Sequence, residues 1–93
     1  MKEYVIEVDI YGVWSQEPPV YRIYIDDEMI CERSFLAMEY EFYRDKILVN
    51  LDGGSEHVFK FEQLPTTYHN HKLAYKNLSV NGNLVGHTFT VPN

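Results

Sequence analysis

Apolar and polar positions alternate along several segments of this 93-residue chain, and a period of two is typical of β-strands with one buried and one solvated face. In segment 3–11 every even-numbered position is apolar, whereas Glu3, Glu7 and Asp9 fall on the opposite face. No segment keeps a helical stripe beyond about two turns. The chain is therefore predicted to be all-β.

Two β-hairpins are predicted from the residues at their turns. Asp26-Asp27 follows an alternating segment, and because Asp accepts a positive φ better than most residues, Met29–Phe35 is expected to return as the partner strand. Asn81-Gly82 is the strongest hairpin signal, since both residues adopt the positive φ of a type I′ turn at little cost. Strands are expected at 3–11, 20–25, 29–35, 47–51, 58–63, 73–80 and 84–91, with loops at 12–19 and 65–71 and a short helical turn or irregular connection at 36–42.

Strands of this number, separated by turns every 8–12 residues or so, are typical of a two-layer antiparallel fold. Eight tyrosines, five phenylalanines and one tryptophan support this prediction, because rings and β-branched side chains pack well on a pleated surface. The predicted fold is an antiparallel β-sandwich of about seven strands, of jelly-roll type. Residues 1–93 are expected to form a single domain, because a second domain would need about as many residues again.

Composition restricts the function classes. Fourteen acidic and eight basic residues give a net charge of −6, which argues against the clustered Lys and Arg of a nucleic-acid-binding surface. No apolar run approaches the roughly 20 residues that cross a bilayer, so no membrane contact is expected, and the first residues lack the order of a signal peptide. The single cysteine, Cys31, excludes an internal disulfide and is expected to behave as a small apolar residue within a strand.

Metal binding has two weak candidates. His69 and His71 lie two residues apart on extended backbone and point the same way, but a zinc site needs three or four ligands. Only His57, His87 or a carboxylate could add them through the fold, so a solvated loop without a metal is the preferred interpretation. Calcium is the alternative at the acidic turns 26–28 and 52–56, where carboxylates that merely cap the turns are the simpler interpretation.

No catalytic set can be assembled, and the protein is not expected to be an enzyme. The serines lack a nucleophile-elbow context, and no glycine-rich phosphate loop is present. Candidate binding residues are therefore sought among the rings and imidazoles near loops: Trp14, Tyr68, His69 and His71, with Tyr11 a further ring beside a loop. Flat rings stack on sugars and also enter protein interfaces. The alternative for Trp14 is that it closes the open end of the sandwich.

The hairpin 21–35, with the sequence YRIYIDDEMICERSF, resembles a recurring pattern in small β-sandwich proteins of marine cyanophages. In that pattern a strand, a glycine turn and a final Asn-Gly hairpin follow, and they correspond here to 47–54 and 76–82. The resemblance implies a non-catalytic β-sandwich of phage type. We expect a structural or binding module that is associated with the virion or assembles into homo-oligomers, because the open edges of a sandwich can pair between copies. The resemblance also implies further copies or other virion proteins as partners, and synthesis in the host cytoplasm.

The apolar strand that runs into Val80-Asn81-Gly82 is also similar to a strand of carbohydrate-binding modules of the calcium-dependent xylan-binding type. That resemblance implies a glycan as the alternative partner. Trp14 and Tyr68 would be the stacking residues, because they are rings near loops and flat rings stack on sugars. Those modules carry acidic or amide residues just before the strand, whereas this chain has the sequence YHNHK at 68–72. The departure argues against a calcium-dependent sugar site.

Overall fold

A computed structural model describes residues 2–38, 41–66 and 71–91 of the protein. None of the described segments forms a helix with the length and apolarity that a bilayer crossing demands. The strands, in chain order, are β1 (Lys2–Val13), β2 (Val20–Ile25), β3 (Glu28–Ser34), β4 (Phe42–Leu51), β5 (Glu56–Gln63), β6 (Lys72–Val80), β7 (Asn83–Leu84) and β8 (Thr88–Thr90).

These strands form two four-stranded antiparallel sheets that pack face to face. Sheet I has the order β4-β1-β6-β7, and sheet II has the order β3-β2-β5-β8. The prediction of an all-β antiparallel sandwich is thus confirmed, with eight described strands rather than seven. The extra strand arises because segment 84–91 is divided: β7 pairs with β6 in sheet I, and β8 pairs with β5 in sheet II.

The two predicted turns adopt the expected backbone. Asp26 and Asp27 have φ of 53° and 65°, and Asn81 and Gly82 have φ of 49° and 83°. The connection after β3 is irregular at 35–38 and 41, where the amide of Glu41 donates to the carbonyl of Met38; residues 39 and 40 of the predicted segment lie outside the described residues. Both hairpins therefore follow from local turn chemistry.

The core lies between the sheets and is built from the inward face of each strand. The alternation predicted for β1 is confirmed, since Tyr4, Ile6, Val8 and Ile10 are all buried. From sheet II, β2 and β5 contribute Tyr21, Ile23, Ile25 and Phe59. The side chains of Phe59 and Tyr75 meet edge to face across the layers, with centroids 5.0 Å apart.

The sandwich is elongated, with extents of 45 × 23 × 18 Å, so its two ends are distinct surfaces. At one end Lys2 pairs with Leu51, and at the other Tyr11 pairs with Phe42. About 30 Å of β1 separates these pairs. The β2–β3 turn lies at the first end, because His57 bonds both Asp26 of that turn and the carbonyl of Asp52.

Candidate functional site

A groove of about 490 Å³ lies on the outer face of sheet I at the end of β1. Its walls are mostly apolar, and it is lined by Tyr11, Gly12, Val13, Glu41, Phe42, Lys72, Leu73, Ala74 and Lys76. In the strand register Tyr11 stands between Phe42 on β4 and Ala74 on β6. Because Ala74 has a small side chain, space remains beside the Tyr11 ring. The groove therefore follows from one large and one small residue on neighbouring strands.

Two cations position the rings of this groove. The Nζ atom of Lys76 lies 5.1 Å from the centroid of the Tyr11 ring, and the Cζ atom of Arg44 lies 5.8 Å from that of Phe42. Both cations flank Asp9, which is only 2% exposed although it belongs to the outer face. Cation–π attraction of this kind favours fixed ring orientations.

Asp9 is the acidic residue that lies between Arg44 and Lys76 in the strand register. Its Oδ1 accepts a 2.8 Å hydrogen bond from Arg44, and its Oδ2 accepts one of 2.9 Å from the amide of Asn77. The bond from Arg44 is the largest influence and lowers the pKa of Asp9 against the opposing effect of burial. Asn77 reaches this position because it has φ of 56° next to an irregularity in the β1–β6 register. The carboxylate thus stays charged, bonds Arg44 directly and attracts Lys76 through its charge.

Exposed hydrophobic side chains concentrate at this end of the molecule. The described residues include ten large hydrophobic residues with high exposure, and six of them belong to 11–13, 36–38 and 41–43, which we call the hydrophobic end. They are Tyr11, Val13, Leu36, Met38, Phe42 and Tyr43. Apolar clusters of this kind on the surface of a folded domain usually mark a contact surface.

Trp14 is partly buried at this end of the sandwich. Its ring packs against the core, and its Nε1 donates a 2.8 Å hydrogen bond to the carbonyl of Ala37. This placement agrees with the alternative in which Trp14 closes the open end of the sandwich, and it also holds the segment that carries Leu36 and Met38. Stacking of Trp14 on a ligand stays a prediction.

The predicted loop residues are only partly described. Tyr68 and His69 lie outside the described residues. His71 is buried, so the interpretation of a solvated histidine is wrong at this position. Its Nε2 is 2.7 Å from the carbonyl of Ser15, and the ring thus ties the residue before β6 to the β1–β2 loop. Among the residues that the structure describes, no three His, Cys, Asp or Glu side chains come together in a way that could hold a metal ion.

At the acidic turn 26–28, the carboxylate of Asp26 makes hydrogen bonds that stabilise the fold. Its Oδ2 lies 2.6 Å from Nδ1 of His57, and its Oδ1 accepts a 2.9 Å hydrogen bond from the amide of Val58. The other ring nitrogen of His57 is 2.9 Å from the carbonyl of Asp52. Since both partners of this ring are acceptors, the protonated imidazolium satisfies the geometry by donating from both nitrogens.

This arrangement shifts the pKa of each partner. Burial is the largest effect on His57 and by itself lowers the pKa, but the bonds to Asp26 and Asp52 and the attraction of their charges outweigh it, so the pKa lies above 6.5. Burial likewise raises the pKa of Asp26, and the bonds from His57 and Val58 outweigh it, so that pKa lies below 3.8.

We expect this contact to make stability depend on pH. The contribution of His57 is complete below about pH 6.5 and is lost as pH rises through its raised pKa, and that of Asp26 is complete above about pH 3.8 and is lost as pH falls through its lowered pKa. Urea unfolding between pH 5.5 and 8.5 should show that the free energy of unfolding declines as pH rises. His57→Gln should remove this decline. His87→Gln, which changes an exposed residue, should keep the decline. A flat profile for the unmodified protein would contradict the assignment.

A second buried polar cluster joins the two sheets at their β3–β4 edge. Asp45 is fully buried, and its carboxylate accepts bonds from Tyr21 Oη at 2.7 Å and from Arg33 Nε at 2.8 Å. Burial, followed by the hydrogen bond and the charge of Asp45, raises the pKa of Tyr21. Burial also raises the pKa of the nearby Cys31 thiol to about 11, so this thiol is protonated at neutral pH and is a poor nucleophile.

The sequence identified this site incompletely. Tyr11 was noted as a ring near a loop, and its position offered a stronger signal, because residues 3, 7 and 9 of the same strand face are acidic. Tyr11 shares this face with them, so it places an aromatic ring on the polar face of the strand. Phe42 was missed, because the segment 36–42 was predicted as a connection, whereas β4 begins at Phe42.

Comparison with protein-family models, curated proteins and solved structures finds no match to this chain.

Proposed function

We propose that this protein is a non-catalytic binding domain that docks a protein partner through its hydrophobic end, with the groove beside Tyr11 as the centre of the contact. The observation that carries this proposal is the concentration of exposed hydrophobic residues there. Large rings in the centre and charged side chains at the rim are the usual anatomy of a protein interface. Here Tyr11 and Phe42 are the rings, and Lys72, Lys76 and Glu41 provide the charges.

A protein partner suits the groove better than a neutral sugar. Sugar hydroxyl groups lose water on binding and need many hydrogen-bonding side chains in return. The polar side chains that line the groove are those of Tyr11, Glu41, Lys72 and Lys76, and Lys76 already lies over a ring. The exposed rings support the glycan alternative, which stays a prediction. A place in a phage particle rests on the cyanophage resemblance and also stays a prediction.

Titration of isotope-labelled protein with defined probes tests this proposal. The probes are short peptides that combine apolar residues with either acidic or basic residues, soluble xylan, and a soluble uronate polysaccharide. We expect the acidic-apolar peptides to shift the backbone amide signals of β1, β4 and β6 around the groove, because Lys72 and Lys76 border it. Shifts there with the polysaccharides and not with the peptides would favour the glycan alternative and overturn the protein one.

Phe42→Ala is expected to weaken peptide binding at least about tenfold, which corresponds to about 1.4 kcal/mol, because it removes an exposed ring from the centre of the surface. Leu48→Ala is the matched control: Leu48 is equally exposed, lies on the same face of β4, and is about 20 Å along the strand from Phe42. Equal effects of the two variants on affinity would contradict the location of the contact.

A further inference from the structure

We propose that the partner in the groove is a second copy of this chain, which inserts its β2–β3 turn into the hydrophobic end of the first. This inference rests on the proposed function and names the partner of the same site. It is carried by a second feature of the molecule: the turn presents acidic and apolar groups that match the groove, at the opposite end of the sandwich.

The β2–β3 turn combines charge, an apolar side chain and a fixed shape. Asp27 and Glu28 are exposed, and Met29 beside them is 52% exposed. Hydrogen bonds to β5 fix the turn, because Asp26 bonds His57 and both the amide and the carbonyl of Val58. A turn that is already ordered loses little conformational entropy when it binds.

The groove offers the complementary chemistry. The apolar residues Val13, Leu73 and Ala74 line the groove together with Lys72, Lys76 and one acidic residue, Glu41, so the lining carries a net charge of +1. Met29 is unbranched and adapts to irregular apolar spaces, so it suits these apolar residues, while Asp27 and Glu28 suit the lysines. The chain as a whole has a charge of −6, so a groove with lysines at its border is where an acidic segment of another copy meets attraction instead of repulsion.

The geometry requires that turn and groove belong to different molecules. The turn lies near the pair Lys2–Leu51 and the groove near the pair Tyr11–Phe42, with about 30 Å of strand between them. When the same two copies do not also make the reciprocal contact, a contact between different surfaces of identical chains is heterologous, and it repeats from copy to copy. The expected product is therefore a head-to-tail row of copies along the long axis and not a closed symmetric dimer.

A charge-exchange experiment on the full chain tests this contact. In Glu28→Lys the turn carries a lysine, which would face the lysines of the groove. In Lys72→Glu the acidic turn is unchanged and would face a glutamate in the groove. Each variant alone is expected to be monomeric in light scattering at concentrations where the unmodified protein forms a concentration-dependent series of oligomers. An equimolar mixture should associate again, because each turn then meets an opposite charge in the other variant. High salt should dissociate these species.

The matched control is Glu56→Lys, which changes an exposed acidic residue at the same end of the molecule, outside the turn. This variant should assemble as the unmodified protein does. Circular dichroism of each variant checks that the fold is retained.

Three outcomes would overturn the inference: an unmodified protein that stays monomeric at millimolar concentration, a mixture that does not associate, or a dimer that Glu28→Lys leaves intact. If an acidic-apolar peptide still shifts the groove signals in any of these cases, the groove binds a different protein and the proposed function stands. If neither copies nor peptides engage the groove, both proposals fail.

Discussion

Arg33→Met is expected to lower the free energy of unfolding by about 2–4 kcal/mol, because it leaves the fully buried carboxylate of Asp45 without its cation. Loss of one partner of a buried pair typically costs about 3–5 kcal/mol. The side chain of Arg33 is 40% exposed, so water can take part of its place, and the expected cost is correspondingly smaller. Tyr21 would then be the remaining strong donor to Asp45, through its hydroxyl group.

Arg22→Met is the matched control for this prediction. Arg22 also bonds a carboxylate through Nε, at 2.6 Å, but both its side chain and that of Glu32 are well exposed, at 38% and 45%. Exposed pairs contribute little, so this variant should unfold at nearly the same urea concentration as the unmodified protein. Equal losses in the two variants would show that packing of the arginine stem, and not the buried charge, explains the effect.

A combined variant separates charge from packing more directly. Replacing Arg33 by Met, Asp45 by Leu and Tyr21 by Phe removes every member of the cluster that carries a charge or a hydroxyl group. Apolar replacement of a whole buried cluster is often neutral or stabilising, so most of the stability lost in Arg33→Met should return. If the combined variant is the least stable of the set, the polar cluster contributes net stability to the core.

Gly12→Ala is the second substitution with a large expected effect, a loss of about 3 kcal/mol. A Cβ at this position would lie 2.1 Å from the carbonyl oxygen of Lys72 and 2.9 Å from the Cα of Leu73. Both are backbone atoms, so β1 and β6 would have to separate, and the wall of the groove would move with them. A loss of this size is a large part of the stability of a small domain.

Gly86→Ala provides the control, because the nearest atom to its Cβ would be 3.9 Å away. This variant should be as stable as the unmodified protein or more stable by up to about 1 kcal/mol, since alanine restricts the unfolded chain. Urea unfolding measures both variants, and the amide signals of β6 report the movement of the strand. A Gly12→Ala protein of unchanged stability would mean that β1 and β6 approach each other less closely than described.

Local features were sufficient to predict most of the sandwich. The alternation around Ile6 and Ile10 identified the buried face of β1, and Asp26-Asp27 and Asn81-Gly82 located both hairpin turns. The division of segment 84–91 was not predicted, because apolar character along a short run does not say which sheet a strand joins. The binding surface was predicted from residues near loops, whereas the groove is lined by residues of β1, β4 and β6 and by Glu41 just before β4.

By itself, the sequence determined the strand class, the turns and the faces of the strands, because backbone preferences and the period of two act between neighbouring residues. Only the tertiary structure decided the partners across the sheets. Asp45 and Tyr21 are 24 positions apart, and Tyr11 and Phe42 become neighbours only because β1 pairs with β4. These contacts depend on strand order and register, which emerge when the whole chain buries its apolar faces together and which no local segment encodes.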